Sequence, residues 1–235
     1  MKPFDVAVLG AGSFGTAIAI HIARSSHRVV LWGRNENKLQ QMANQRENKY
    51  YLPNTKFPSS LKIETSLNKA IKESKHIIIA VPSHAFYTLL DQIEPSLHEV
   101  TWLTKGIDPK NYYFLHQLVL EKNKDTLFSV LSGPSFAKEV ASGMPTALTL
   151  AHNNEQYAKK IHAYLHSNSL RVYFSNDYLG VQLAGAMKNV LAIAVGVSDG
   201  LGFGANARAA LITRGLNEMR SLGQAFNAKE RTFTG

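Results

Sequence analysis

A strand, a glycine-rich turn, a helix and a second strand follow one another near the beginning of the chain, and no other feature restricts its fold as much. The strand-like run Asp5–Leu9 leads directly into GAGSFG at residues 10–15, an apolar helical pattern follows, and Arg28–Trp32 is again strand-like. G-x-G-x-x-G in this β-α-β context is the dinucleotide-binding fingerprint. We therefore predict an α/β protein with an N-terminal Rossmann-type domain that binds a dinucleotide.

The three glycines of this motif have different tasks. Gly10 permits a tight turn, Gly12 lets the backbone approach a pyrophosphate, and Gly15 lets the helix pack closely on the strand. The amino terminus of the following helix adds N–H groups and a partial positive charge, which favour phosphate groups. All three glycines are therefore predicted to be cofactor-binding residues.

The end of the second strand bears on the choice between NAD and NADP. An NAD site usually has an acidic residue about twenty residues after the glycine motif, to bind the ribose 2′-hydroxyl. Here the sequence is Trp32-Gly33-Arg34-Asn35, so Arg34 is positioned to accept a 2′-phosphate, which favours NADPH. The alternative is that Arg34 is a solvated surface residue and that Glu36 contacts the ribose.

Three later apolar runs end in small or polar residues. Residues 76–81 (HIIIAV) lead into Pro82-Ser83, residues 100–104 lead into Lys105-Gly106, and residues 127–131 lead into SGPSFA. Continuous apolar runs are typical of parallel strands that are covered on both faces, and ligands bind at the carboxyl edge of such sheets. We predict that these three ends form one rim of a binding cleft. Residues 146–150 and 170–174 are two further predicted strands, whereas residues 38–60, with two prolines, are predicted to be irregular.

An apolar helix is predicted after Asn176 and Asp177, which are good N-cap residues. It is apolar on every face, so we expect it to be buried all round. Lys188 stands within it and loses hydration, which disfavours the ammonium form and lets the lysine exchange a proton or bind an anion. The alternative is a lysine whose amine reaches solvent. Polar residues that include Gln182 and Asn189 interrupt the run, which argues against membrane insertion.

The composition changes where this helix begins, and we place a domain boundary there. Residues 1–175 are predicted to form the Rossmann-type domain, and residues 176–235 the beginning of an all-helical domain.

The chain has 26 lysine and arginine residues against 17 acidic ones, a formal net charge of +9, and no cysteine. The basic residues are scattered, so we expect no nucleic-acid partner, and a phosphorylated small ligand accounts for the sign of the charge. The lack of cysteine excludes thiolate zinc sites and fits a cytoplasmic location, and no metal site is predicted.

With these motifs assembled, the chain resembles the bacterial NAD(P)-dependent glycerol-3-phosphate dehydrogenases. The resemblance rests on GAGSFGTA at residues 10–17, YLPN at 51–54, VPSHAF at 81–86, TKG at 104–106, SGPSFAKE at 132–139 and the whole run at 180–215. The last run is far more specific than the glycine motif. Together these pieces cover essentially the whole chain in the family's order.

The resemblance implies reversible oxidation of sn-glycerol 3-phosphate to dihydroxyacetone phosphate, with NADP or NAD as cofactor, in the supply of glycerol 3-phosphate for phospholipid synthesis. It leaves a homodimer open. Lys188 would exchange the proton at the substrate's C2 oxygen, and Lys105 would be a second catalytic residue that positions and polarises the ligands. By motif, the cofactor-binding residues would also include Ser13, Phe14, Arg34, Tyr51, Lys105 and Ala137, and the substrate-binding residues would be Lys105, Gly133, Ser135 and Lys188.

The family continues beyond the position at which this sequence stops, so the resemblance implies a truncated helical domain that lacks further substrate-holding residues. Arg208 and Arg214 have no assigned role. The alternative to catalysis is a dinucleotide-binding module without turnover, or an inactive fragment of such an enzyme. The presence of both Lys105 and Lys188 favours an enzyme, because a binding module needs no buried proton carrier.

Overall fold

The computed structural model describes residues 3–93 and 98–234. Within them the strands are β1 (Phe4–Leu9), β2 (Val29–Trp32), β3 (Leu61–Glu64), β4 (Ser74–Ile79), β5 (Glu99–Trp102), β6 (Leu127–Ser132), β7 (Thr146–His152) and β8 (Leu170–Ser175). The helices are α1 (Ser13–Arg24), α2 (Glu36–Gln45), α3 (Leu67–Lys72), α4 (Ser83–Gln92), α5 (Leu115–Lys122), α6 (Ala137–Ser142), α7 (Glu155–Leu165), α8 (Tyr178–Gly200), α9 (Gly204–Ala225) and α10 (Arg231–Thr234).

All eight strands form one sheet in the order β3-β2-β1-β4-β5-β6-β7-β8. Strands β1 to β6 run parallel, β7 runs antiparallel to β6, and β8 runs parallel to β7. One apolar cluster packs α1 and α7 on one face, and a second packs α4 and α5 on the other. Burial on both faces explains the uninterrupted apolar runs, and the predicted Rossmann-type domain is confirmed.

The segment after β2 differs from the prediction. It was expected to be irregular from residue 38 to residue 60, but α2 occupies residues 36–45. The Asn35 side chain accepts a hydrogen bond from the Lys38 N–H at 3.0 Å and so caps the helix, and Leu39 and Met42 are the buried positions of its apolar face. Two apolar positions in a polar stretch give too weak a periodicity to indicate a helix. Strand β3 was also missed, because its sequence LKIE holds only two apolar residues.

Helix α8 begins at the amino-terminal edge of the parallel strands, because β8 runs opposite to them. The Tyr178 ring packs 5.0 Å from the ring of Phe128, near the beginning of β6, and Gly185 lies against Ser132, at the end of β6. The first two turns of α8 therefore lie along the sheet, and the remainder extends past its carboxyl edge.

The prediction that α8 is buried all round is wrong beyond these first turns. Val190, Ile193 and Val197 are 57–69% exposed, because α8 has left the sheet there and α9 packs on one side only. By length and composition, α8 is the one helix in the described ranges that is apolar and long enough to cross a membrane.

The predicted N-cap of α8 is confirmed and does more than cap the helix. The buried Asp177 carboxylate accepts the Gly180 N–H at 2.9 Å and the Lys229 N–H at 2.9 Å, and it also accepts the Thr232 hydroxyl. The beginning of α8 is thus held to the segment that follows α9. The domain boundary at residues 175/176 stays a prediction, and Gly235 lies outside the described residues.

Candidate active site

The carboxyl ends of β1, β4, β5 and β6 lie side by side, because these strands are parallel neighbours. Two hydrogen bonds join the loops that follow them. The Thr104 hydroxyl donates to the Val81 carbonyl at 2.7 Å, and Lys105 Nζ donates to the Gly133 carbonyl at 3.0 Å. The structure therefore brings the three predicted strand ends into one rim, next to the glycine turn.

The glycine turn has the shape that a pyrophosphate needs. Gly10 has φ +131°, and a Cβ there would lie 2.4 Å from the Ala80 carbonyl oxygen; a Cβ at Gly15 would lie 2.0 Å from the Gly10 carbonyl oxygen. A Cβ at Gly12 would meet nothing within 4 Å, and Gly12 is the N-cap of α1 without any side chain to cap it. The first N–H groups of α1, at Ser13 and Phe14, therefore have no side-chain cap, and the residues present fit a dinucleotide.

Asn48 links this turn to the segment after α2, a role that was not predicted from the sequence. It is 1% exposed; its Nδ2 donates to the Ala11 carbonyl at 3.1 Å and to Thr16 Oγ1 at 2.9 Å, and its Oδ1 accepts the Tyr51 N–H at 3.2 Å. The Ser13 hydroxyl donates to the Tyr51 carbonyl at 2.9 Å. These bonds bring Tyr51 to the first turn of α1. A single asparagine in a polar stretch carries no signal for this role.

Arg34 is exposed in the short loop between β2 and α2, at the same edge of the sheet as the glycine turn. Glu36, the alternative ribose contact, is the first residue of α2 and is also exposed. Lys38 Nζ stands 3.7 Å from the centroid of the Tyr50 ring and 5.3 Å from that of Tyr51. A second cation thus lies in the first turn of α2, just after Arg34, which adds to the positive charge on this side of the cleft.

The two lysines singled out in the sequence face each other across the rim. Burial, together with the positive charge of Lys188, lowers the pKa of Lys105 to about 8. Lys105 Nζ also lies 5.7 Å from the centroid of the Phe14 ring, and Lys188 Nζ lies 6.0 Å from that of Phe136. Desolvation was expected at Lys188, within an all-buried helix, but Lys188 is only half-buried, because α8 leaves the sheet at this point.

Ser135 supplies a polar group that the fold itself does not use. Its hydroxyl oxygen is buried and has no hydrogen-bond partner among the described residues. A buried hydroxyl without a partner carries a free-energy cost, which a ligand oxygen or nitrogen can remove. Phe136, the next residue, is 71% exposed, and Ala137 begins α6. The loop after β6 thus presents one hydroxyl and one aromatic ring on the side of Lys188.

The predicted site residues fall into two adjoining groups. Gly10, Gly12, Ser13, Phe14, Gly15, Arg34 and Tyr51 lie around the ends of β1 and β2, and Lys105, Gly133, Ser135, Ala137 and Lys188 lie around the ends of β5 and β6. The contact of Phe14 with Lys105 joins the groups. Of the two unassigned arginines, Arg208 is ion-paired with Asp199, and Arg214 lines a groove between α8 and α9.

Models of known protein families match most of the chain. Residues 5–158 match the N-terminus of NAD-dependent glycerol-3-phosphate dehydrogenase, and residues 177–235 match the C-terminus of the same enzyme. A glycerol-3-phosphate dehydrogenase [NAD(P)+] of Legionella pneumophila (strain Lens) is 51% identical over 236 residues, which cover 100% of this chain and 72% of that protein. One from Colwellia psychrerythraea is 48% identical and covers 98% of this chain and 70% of the relative.

Solved structures of glycerol-3-phosphate dehydrogenases have the same fold. The crystal structure of the enzyme from Coxiella burnetii superimposes with a TM-score of 0.95 at 42% identity, over 100% of this chain and 73% of that one. The enzyme from Saccharomyces cerevisiae gives a TM-score of 0.81 at 27% identity, over 98% of this chain and 73% of that one. The similarity therefore extends through the helices that follow the sheet.

Proposed function

Because the chain belongs to the NAD-dependent glycerol-3-phosphate dehydrogenase family, we propose that it interconverts sn-glycerol 3-phosphate and dihydroxyacetone phosphate with NAD(P). The observation that carries this proposal is that the glycine turn, Lys105 and Lys188 stand at one edge of the sheet. The same proposal includes the supply of glycerol 3-phosphate for phospholipid synthesis, a cytoplasmic location, and a homodimer as the assembly to test first.

The dinucleotide is held by the glycine turn and the residues around it. Gly10, Gly12 and Gly15 shape the turn, and the N–H groups at Ser13 and Phe14 bind the pyrophosphate. Tyr51 borders the turn, and Ala137 closes the cleft from the side of α6. Arg34 binds the 2′-phosphate, so NADPH is the favoured cofactor. When bound, the nicotinamide supplies or accepts the hydride at the substrate's C2.

The residues after β5 and β6, with Lys188, hold the substrate and its proton. Lys188 exchanges the proton at the C2 oxygen, as the resemblance implies, and its ammonium stabilises the negative charge that develops there. Lys105 stands opposite, anchored on the Gly133 carbonyl, and supplies a second positive charge to an anionic substrate. The free Ser135 hydroxyl donates to a substrate oxygen.

Replacing Lys188 by methionine tests the assignment. The change keeps the length of the side chain but removes the proton carrier, so we expect kcat for dihydroxyacetone phosphate reduction to fall by roughly a hundredfold or more. NADPH affinity, measured by fluorescence titration, should stay unchanged because the glycine turn is untouched. Lys105→Met should raise KM as well, because it removes a charge that borders both ligands.

Lys188→Arg is the matched control, because arginine keeps the charge but does not release a proton near neutral pH. Turnover should stay low in this variant. Near-normal kcat in Lys188→Met, or restored turnover in Lys188→Arg, would reverse the roles of the two lysines. A protein without turnover under any condition, but with normal NADPH affinity, would contradict the proposed activity itself.

A further inference from the structure

Helix α8 touches the rim at one buried residue without a side chain. A Cβ atom at Gly185 would lie 2.8 Å from Ser132 Oγ and 3.6 Å from Lys105 Cγ. The first distance is shorter than real Cβ contacts, whereas the second is ordinary van der Waals contact. Ser132 is the last residue of β6 and is 7% exposed. With the Ser132 hydroxyl in this position, a side chain at position 185 does not fit, so glycine lets α8 lie this close to the end of β6.

This contact lies between the two lysines of the candidate active site. Gly185 packs on the stem of Lys105, and Lys188 follows three residues later, on the same side of the helix. Asn189 and Val190 are already exposed, and beyond Lys188 the helix packs on α9 and no longer on the sheet. The ammonium groups of Lys105 and Lys188 repel each other, so charge does not hold them together either.

We infer that Gly185 and Ser132 are positioning residues: their contact sets the separation of Lys188 from Lys105, and with it the position of the proton carrier over the substrate. The inference rests on the proposed function for its effect on turnover. A side chain at position 185 displaces α8 from β6. Because Lys188 lies about one helical turn from position 185, the displacement also moves Lys188. Shifts of about 1 Å in an active site lower rates by roughly a hundredfold.

Gly185→Ala is the test, and Gly196→Ala is its matched control. Both put the same methyl group into α8 with the same gain in helix propensity, but a Cβ at Gly196 would meet nothing within 4 Å. We expect Gly185→Ala to lower kcat at least about tenfold, with NADPH affinity and thermal melting close to the wild type, and Gly196→Ala to match the wild type. Ser132→Ala in the same chain should restore kcat to within about threefold, because it removes the oxygen that the new methyl group meets.

A second measurement does not depend on turnover. Lys105 faces the Gly133 carbonyl, the Phe14 ring and Lys188. If α8 moves away, Lys105 loses part of its burial and of the repulsion from Lys188, so its pKa rises above its value of about 8. The rate at which acetic anhydride labels Lys105, followed against pH by mass spectrometry, reports this change. The second substitution, Ser132→Ala, should reverse it.

The outcomes separate the inference from the proposed function. The inference is overturned if the wild type turns over and the Gly185→Ala variant equals it in kcat and in Lys105 labelling. A Gly185→Ala defect that Ser132→Ala does not relieve also overturns it. A wild type without turnover overturns the proposed function, whereas the labelling result still decides the positioning role.

Discussion

We expect Lys105 to make the folded protein less stable than it would be with an apolar side chain at this position. Burial, assisted by the charge of Lys188, lowers its pKa from 10.5 to about 8. One pKa unit corresponds to 1.36 kcal/mol, so keeping this lysine charged in the folded state costs about 3 kcal/mol at neutral pH. Its hydrogen bond to the Gly133 carbonyl offsets about 1 kcal/mol. We therefore expect Lys105→Met to raise the free energy of unfolding by about 2 kcal/mol at pH 7.

The gain should depend on pH in a defined direction. Between pH 8 and pH 10.5 the unfolded chain binds the Lys105 proton and the folded chain does not, so wild-type stability rises with pH in this window. The cost is present in full below pH 8 and disappears above pH 10.5. The advantage of Lys105→Met should therefore shrink as the pH rises through this window.

Urea denaturation at pH 7 and at pH 10.5 measures both effects, with each variant compared with the wild type at the same pH. Lys62→Met is the matched control: it removes one lysine from the exposed face of β3 with the same change of net charge, so it should alter stability little at either pH. A Lys105→Met variant that is no more stable than the wild type at pH 7 would refute the reasoning. So would a gain that is the same at both pH values.

Two further predictions concern the cofactor. Arg34→Ala should weaken NADPH binding by about 1–3 kcal/mol and NADH binding little, because one charge-assisted contact to the 2′-phosphate is lost; equal losses in fluorescence titrations with both cofactors would exclude this contact. Gly12→Val should leave the melting temperature close to that of the wild type, because its Cβ points into open space, but should lower NADPH affinity at least about tenfold by blocking the pyrophosphate. Unchanged affinity would mean that the phosphates lie elsewhere.

Local sequence patterns were enough for the parallel strands other than β3. The glycine motif ties β1, α1 and β2 together, and the uninterrupted apolar runs of β4, β5 and β6 indicate strands that are covered on both faces. The strand direction of β7 and β8 was not predictable, because alternation of side chains is the same in parallel and antiparallel strands. Helix α2 was missed because its buried face consists of only Leu39 and Met42.

For the candidate site, the sequence identified which residue types meet but not how each is surrounded. Lys105 and Lys188 were both singled out, one at a strand end and the other within an apolar helix. Which of the two lysines is desolvated depends on where α8 leaves the sheet. That point is set by the reversed direction of β8. The roles inferred for Asn48 and Ser132 depend on contacts between distant segments, with Asn48 bonded to Thr16 and Ser132 packed against Gly185. Such contacts have no local pattern.

Because α8 runs along β6, the length of that strand determines how many residues must separate Asp177 from Lys188. Asp177 caps the helix near the beginning of β6, and Lys188 lies just past the end of that strand. Each residue inserted between them would turn Lys188 by about 100° and advance it by about 1.5 Å. Two whole added turns would restore its direction but carry it roughly 10 Å too far. We therefore expect an insertion or deletion in this stretch of the helix to misplace Lys188.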